Sequence, residues 1–140
     1  MTRLQEALSF RDVFKQPIIG KLDASNGRLR RLWDMQVDLI EEEAGEFFDA
    51  AEVFKAGLPQ VQQTDYPRRE AVLKELSDLV FVCYQFAACF GLDLDEAMAR
   101  IYESNMSKLD ESGDPIYRAD GKVLKGPNYR KPNLKSLVEE

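Results

Sequence analysis

The apolar residues of this chain recur every three to four residues over most of its length, and no alternation typical of a β-strand extends for any length. This spacing is that of an α-helix, and prolines and glycines interrupt it at a few positions. The sequence therefore favours an all-α fold, a bundle of about four helices. The predicted helices run from Leu4 to about Phe14, from about Arg28 to Ala56, from Pro67 to about Phe90, and over residues 92–109 with Asp93 or Asp95 as the N-cap.

Turn-forming residues separate the predicted helices. The segment DASNGR (23–28) leads into the second helix, and LPQVQQTDY (58–66) connects the second helix to the third. From Asp110 onward the chain is rich in glycine, proline and asparagine, which predicts an ordered loop region with room for one short hairpin. We expect a single domain over residues 1–140, with its core at 28–109 and a C-terminal arm at 110–140.

Charge is distributed unevenly along the chain. The formal net charge of −6 argues against a nucleic acid polymer or an anionic membrane as the main partner. Residues 108–135 nevertheless carry seven basic and four acidic residues, whereas every charged residue of 38–52 is acidic. The apolar runs are shorter than the roughly 18 residues of a membrane helix, and the N-terminus does not resemble a signal peptide. We therefore expect a cytoplasmic protein, with Cys83 and Cys89 as free thiols.

The chain has no histidine. This absence excludes Ser-His and Cys-His nucleophile pairs, zinc sites with histidine ligands, and the Glu-x-x-His motif of di-iron bundles. Any bound metal must be held by oxygen atoms. Oxygen ligands favour hard cations such as Mg²⁺ or Mn²⁺.

The second predicted helix contains the acidic stretch LIEEEAGEFFDAAE, residues 39–52. At about 100° per residue, the residues closest to Ile40 define a buried face. The predicted members of that face are Val37, Ala44, Phe47, Phe48 and Ala51. Glu42, Glu43 and Glu46 share one flank of it, whereas Glu41, Glu52 and Asp34 lie on the opposite, solvated flank.

The third predicted helix places Glu75 within an apolar arc, and Asp78 borders that arc. Neither helix offers an obvious basic partner on these faces, and burying an unpaired carboxylate is costly. If the two helices meet, their carboxylates would repel one another unless a divalent cation lay between them. Two simpler interpretations stay open: a solvated helix surface for the first group, and for Glu75 and Asp78 a structural salt bridge to an arginine or to Lys108.

The arrangement E-E-x-x-E at 42–46, followed after 28 residues by E-x-x-D at 75–78, resembles the MazG-like all-α nucleoside triphosphate pyrophosphohydrolases. SNMSKL (104–109) is similar to the third motif of that family. YRADGKVLKGPNYRKPN (117–133) is similar to the C-terminal segment of its dUTPase-like bacterial and phage members. The resemblance covers residues 28–133 and would imply the host cytoplasm if the protein is phage-encoded.

This resemblance implies a role for each matching residue. The metal ligands would be Glu43, Glu46, Glu75 and Asp78. Glu42 would be a further ligand or the base that orients a water molecule, which makes Glu42 and Glu43 the candidate catalytic residues. Asn105 and Lys108 would hold a phosphate or a sugar.

The residues fit this chemistry independently, because a carboxylate cluster can bind a nucleoside triphosphate only through bridging cations. We expect two or more Mg²⁺ or Mn²⁺ ions per site. Lys122, Lys125 and Arg130 are candidates to bind the outer phosphates, although a solvated basic tail would have the same composition. Trp33 is a candidate to stack on the base, but a single tryptophan at helical spacing also suits the core.

The predicted activity is hydrolysis of a nucleoside triphosphate between its α and β phosphates, which yields the monophosphate and pyrophosphate. Similarity of the C-terminal segment to the phage group favours dGTP or GTP, with dUTP or a damaged nucleotide as alternatives. Many large apolar residues on few helices predict a homodimer or homotetramer. The alternative from another class is a non-catalytic helical module whose acidic flank binds a basic protein.

Overall fold

The computed structural model describes residues 1–19, 27–58 and 66–139, so parts of the DASNGR and LPQVQQTDY connections lie outside the described residues. The all-α prediction is confirmed, since the described residues contain no strand and only one isolated β-bridge. No single described helix is long and apolar enough to cross a membrane; the helices Tyr66–Cys89 and Leu94–Met106 pass such a test only when joined, by length and composition alone. The helices are α1 (Arg3–Val13), α2 (Gly27–Ala56), α3 (Tyr66–Cys89), α4 (Leu94–Met106) and the 3₁₀ turn η1 (Lys135–Leu137).

The chain forms two compact units, Met1–Gly91 and Leu92–Glu140. Whether residues 1–140 act as one domain stays a prediction. In the first unit, α1 and α2 both pack against α3. The C-terminal end of α3 is buried together with Ala7 of α1, because its small residues allow neighbouring helices to approach closely. The buried residues of this end are Ala87, Ala88, Cys89 and the adjoining Phe90.

A buried arginine of α1 forms hydrogen bonds to the segment that follows α1 and to α3. Arg11 is only 2% exposed, and its guanidinium donates two hydrogen bonds to the carbonyl oxygen of Pro17 and one to Oε1 of Gln85. The Gln85 amide donates in turn to the carbonyl oxygen of Ala7 at 3.4 Å. The pKa of Arg11 is lowered, because burial disfavours its charged form. The Arg11 side chain therefore contacts both the segment after α1 and the C-terminal part of α3.

One expectation about α2 is wrong. Phe48, predicted on the buried face, is 63% exposed, and its ring contacts that of Phe47 at 5.7 Å between centroids. The apolar arc of α2 is wider than the surface that α3 covers, so a residue at the edge of the arc stays in solvent. The helical wheel indicates the direction of the apolar side but not its covered width.

The second unit contains α4 and the C-terminal arm. Asp93 is the N-cap of α4, because its side chain accepts a hydrogen bond from the backbone N–H of Glu96. The helix ends at Met106 rather than at residue 109, and the Ser107 hydroxyl donates to the carbonyl oxygen of Ser104 at 2.6 Å. A hydroxyl bonded to the backbone in this way competes with further helical turns.

The arm is ordered and fastened to the end of α4. A short hairpin pairs Tyr117 with Val123. The backbone N–H of Gly126 donates to the carbonyl oxygen of Lys108 at 2.8 Å, and a Cβ at position 126 would lie 2.2 Å from the carbonyl oxygen of Leu109. Only glycine permits so close an approach of two backbone segments. The Ser104 hydroxyl donates to the carbonyl oxygen of Arg130 at 2.7 Å, which adds a second attachment.

Candidate metal centre

Three carboxylates of the first unit converge between α2 and α3. Glu43 extends from α2, while Glu75 and Asp78 extend from adjacent turns of the same face of α3. Each side chain offers an oxygen atom, and these atoms all lie within 4.8 Å of one another. None of the three side chains is fully exposed. Oxygen ligands from both helices therefore come within the span of a single cation, and the cluster can bind a metal.

Two carboxylate oxygens of this cluster lack partners in the described residues. Oε2 of Glu43 and Oε2 of Glu75 are both buried and have no hydrogen-bond partner in the described part of the chain. Buried polar atoms normally find a donor, because losing water without replacing its hydrogen bonds is costly. Two carboxylates of one cluster thus each have an acceptor atom without a donor. A divalent cation would supply the missing partner.

Neighbouring acids add to the negative potential at Glu43. Burial raises the pKa of Glu43 above its ordinary value, and a hydrogen bond to Glu46 and the charges of Glu46, Asp78 and Glu42 raise it further. Glu42 and Glu46 are themselves exposed and lie outside the group of three converging residues. The structure therefore brings three of the five predicted metal ligands together and leaves the other two on the adjoining surface of α2.

The expectation that neither helix offers a basic partner is wrong. Nζ of Lys74 lies 2.8 Å from Oδ2 of Asp78 and 3.3 Å from Oε1 of Glu75. These contacts raise the pKa of the Lys74 ammonium, through the hydrogen bond to Asp78 first and that to Glu75 second. The side chain precedes Asp78 by four residues, a spacing that brings helical side chains together. That spacing was the sequence signal for this pair.

The predicted base-stacking residue Trp33 lies partly in the core. Its ring packs on Phe86 and Phe90, with centroid separations of 4.9 and 5.1 Å, yet 43% of the residue is exposed. One part of the indole thus belongs to the aromatic cluster, and another part remains accessible. The ring contacts agree with a place in the core, and stacking on a base stays a prediction.

The remaining predicted substrate ligands all lie in the second unit. Asn105 and Lys122 are exposed, and Lys108 is partly buried. Nζ of Lys125 lies 4.8 Å from the centroid of the Tyr129 ring, a cation–π contact. Arg130 lines a cavity of about 300 Å³ and accepts a hydrogen bond at its backbone from Ser104. Their roles in binding stay predictions.

Comparison with known proteins identifies the family. The family model described as "Phosphoribosyl-ATP pyrophosphohydrolase" matches residues 8–105. Among solved structures, the chain is similar to a "putative NTP pyrophosphohydrolase" from Exiguobacterium sp. 255-15, with 24% identity, 94% of this chain and 89% of that chain covered, and a TM-score of 0.47. A search of curated proteins found no match. The chain belongs to the phosphoribosyl-ATP pyrophosphohydrolase family and is a hydrolase that acts on nucleotide pyrophosphate bonds.

Proposed function

We propose that the protein is a metal-dependent, MazG-like nucleoside triphosphate pyrophosphohydrolase that cleaves the bond between the α and β phosphates. The observation that carries this proposal is the cluster of Glu43, Glu75 and Asp78, in which Oε2 of two residues is buried without a partner. Oxygen ligands alone suit Mg²⁺ or Mn²⁺. Glu42 and Glu46 would add ligand oxygens for two or more ions. Glu46 is hydrogen-bonded to Glu43.

The acidic cluster and its substrate carry charge of the same sign. Mg²⁺ or Mn²⁺ held by the carboxylates would bridge them to the phosphates, activate water and neutralise the charge that develops on the phosphoryl oxygens. Glu42 is exposed beside Glu43 and can accept a proton from the attacking water. The water oxygen forms a bond to phosphorus as the anhydride P–O bond breaks, and pyrophosphate leaves.

The basic and polar residues of the second unit have the chemistry to bind the other parts of a nucleotide. Lys122, Lys125 and Arg130 would bind the outer phosphates, and Asn105 and Lys108 a phosphate or the sugar. The exposed part of Trp33 would stack on the base.

We favour dGTP or GTP as the substrate, because the C-terminal segment is similar to that of phage members. Phosphoribosyl-ATP, the compound in the name of the family, is the second candidate. The competing triphosphates are dUTP and damaged nucleotides. A non-catalytic binding module, the alternative that the sequence left open, does not agree with membership of this enzyme family.

The test is a panel of substrates assayed for pyrophosphate release with Mg²⁺ or with Mn²⁺. The panel contains the eight canonical ribo- and deoxyribonucleoside triphosphates, dUTP, oxidised dGTP and phosphoribosyl-ATP. We expect activity with a guanine nucleotide and a loss of at least about 100-fold in Glu43→Gln and Asp78→Asn, because each removes a metal ligand. Glu41→Gln, an exposed acid on the opposite flank of α2, is the matched control. No pyrophosphate from any substrate, or full activity in both site variants, would refute the proposal.

We further propose that the chain forms a homodimer or homotetramer through an apolar stripe on α3. The stripe consists of Leu73, Leu76 and Val80, which are 64%, 42% and 44% exposed and are spaced like one seam of a coiled coil. A cavity of about 410 Å³ lined by Val80, Phe81 and other residues of the first unit adjoins Leu76. Sedimentation at micromolar concentration tests the assembly. A monomer in wild type, or an unchanged oligomer in Val80→Glu, would contradict it.

A further inference from the structure

Lys74 contacts the outer side of the candidate metal centre. Its ammonium group lies 2.8 Å from Oδ2 of Asp78 and 3.3 Å from Oε1 of Glu75, so one cation joins two carboxylates of the same helix. The other oxygen of Glu75, Oε2, is buried and unpartnered, as is Oε2 of Glu43. The lysine thus neutralises part of the charge of the cluster and leaves Oε2 of Glu43 and of Glu75 without a partner.

Lys74 is a surface lysine whose two carboxylate partners are more buried than it is. Its side chain is 61% exposed, whereas that of Glu75 is 20% exposed and that of Asp78 is 40% exposed. The ammonium therefore approaches the carboxylates from solvent and can withdraw without opening the core. Residues that neutralise acids in this way stabilise the folded chain as long as no other cation is present.

We propose that Lys74 is the resident counter-cation of the metal centre and that it competes with the divalent ion for the charge of Glu75 and Asp78. This inference rests on the proposed metal-dependent function. A hydrogen bond from an ammonium withdraws electron density from a carboxylate, and a nearby positive charge repels a second cation. Lys74 consequently weakens metal binding and, by the same interaction, stabilises the metal-free protein.

The two effects are linked. An interaction that exists only in the metal-free state contributes to its stability and must be given up, at least in part, when metal binds. Removing Lys74 should therefore lower the melting temperature in chelator and leave it nearly unchanged in saturating metal. A residue with a purely structural role would lower the melting temperature equally in both conditions.

The experiment compares wild type, Lys74→Gln and Lys74→Arg in full-length protein. Mn²⁺ affinity is measured from the electron paramagnetic resonance signal of free Mn²⁺, and melting temperature is measured in EDTA and in saturating Mn²⁺. Lys74→Gln should bind Mn²⁺ about 1.4- to fivefold more tightly, the size expected for an exposed ion pair. Lys74→Arg keeps the charge and should remain close to wild type.

Lys55→Gln is the matched control. Lys55 is an exposed lysine of α2, twelve residues after Glu43, and this spacing corresponds to about 18 Å along a helix axis, beyond the screening length of about 10 Å at ordinary ionic strength. It should leave Mn²⁺ affinity unchanged. Weaker or equal Mn²⁺ binding in Lys74→Gln would overturn the inference while leaving the metal centre intact. Failure of wild type to bind Mn²⁺ at all would instead refute the proposed function.

Discussion

Replacing Glu43 by glutamine is expected to stabilise the metal-free protein and to abolish its stabilisation by metal. The three carboxylates offer oxygens within 4.8 Å of one another. Two unit charges at that separation repel by about 0.9 kcal/mol in water and by about 3.5 kcal/mol at the effective dielectric constant of a protein surface. Lys74 offsets part of this repulsion through its bonds to the other two acids. We therefore expect a net gain of about 1–2 kcal/mol on removing the Glu43 charge.

The loss in the presence of metal should be larger than this gain. A ligand at one hundred times its dissociation constant stabilises the folded state by about 2.7 kcal/mol. For a chain of this length, 1 kcal/mol corresponds to roughly 3–4 °C in melting temperature. Wild type should thus gain about 8–11 °C in saturating Mn²⁺. Glu43→Gln should start about 3–8 °C higher in EDTA and gain little on adding Mn²⁺.

Thermal unfolding followed by circular dichroism in EDTA and in Mn²⁺ measures both effects on the same samples. Glu41→Gln removes an exposed charge from the opposite flank of α2 and should keep the full response to metal. A lower melting temperature of Glu43→Gln in EDTA would indicate that Glu43 supports the fold rather than a cation. A full metal response in that variant would also refute the reasoning.

Three further predictions concern the fold. Gly126→Ala should destabilise the protein by about 2–4 kcal/mol in urea unfolding, because the new Cβ would overlap the carbonyl oxygen of Leu109 and break a backbone hydrogen bond. Gly45→Ala, whose Cβ meets nothing within 4 Å, should instead stabilise by about 0.5–1 kcal/mol; the same sign for both variants would contradict this contrast. Arg11→Met should cost about 2–4 kcal/mol in the same assay, since buried acceptors lose their donor, and a neutral effect would show that they find others. Burial raises the pKa of the Cys89 thiol, so its thiolate fraction at pH 8 is below that of a free cysteine. Because Cys89 is 0% exposed, its thiol should react with a disulfide reagent only after the protein unfolds. Rapid reaction of the native protein would contradict this prediction.

Membership of a pyrophosphohydrolase family agrees with the acidic motifs at residues 42–46 and 75–78. The helices were predictable because periodicity, proline and glycine positions and capping residues act within one or two turns. Thr2 and Gln5 form a capping box at the start of α1, and Asp93 caps α4, both through residues three positions apart. The candidate ligands could be selected for the same reason, because the helical periodicity of each helix places its acids relative to its own apolar face. These ligands are Glu43, Glu75 and Asp78.

The tertiary structure decided which of these acids converge. Glu43 and Glu75 are separated by 32 positions in the chain, and the distance between them depends on how α2 packs on α3. That packing brings three carboxylates within 4.8 Å and leaves Glu42 and Glu46 on the surface. It also determines the exposure of Phe48, because the covered width of an apolar face depends on the neighbouring helix.

For Arg11 and Lys74, too, the sequence shows neighbours on the same helix but not contacts with other parts of the chain. Nothing in the local pattern distinguishes Arg11 from an exposed helical arginine, yet its burial follows from acceptors that the Pro17 carbonyl and Gln85 provide. The spacing of Lys74 from Asp78 predicts their ion pair from the sequence. The role of that pair beside the acidic cluster depends on Glu43, which α2 places next to Asp78. The sequence by itself determined the helices and the acids they carry. Only the packing of α2 on α3 brings Glu43 close to Glu75 and Asp78, because that contact joins residues of different helices.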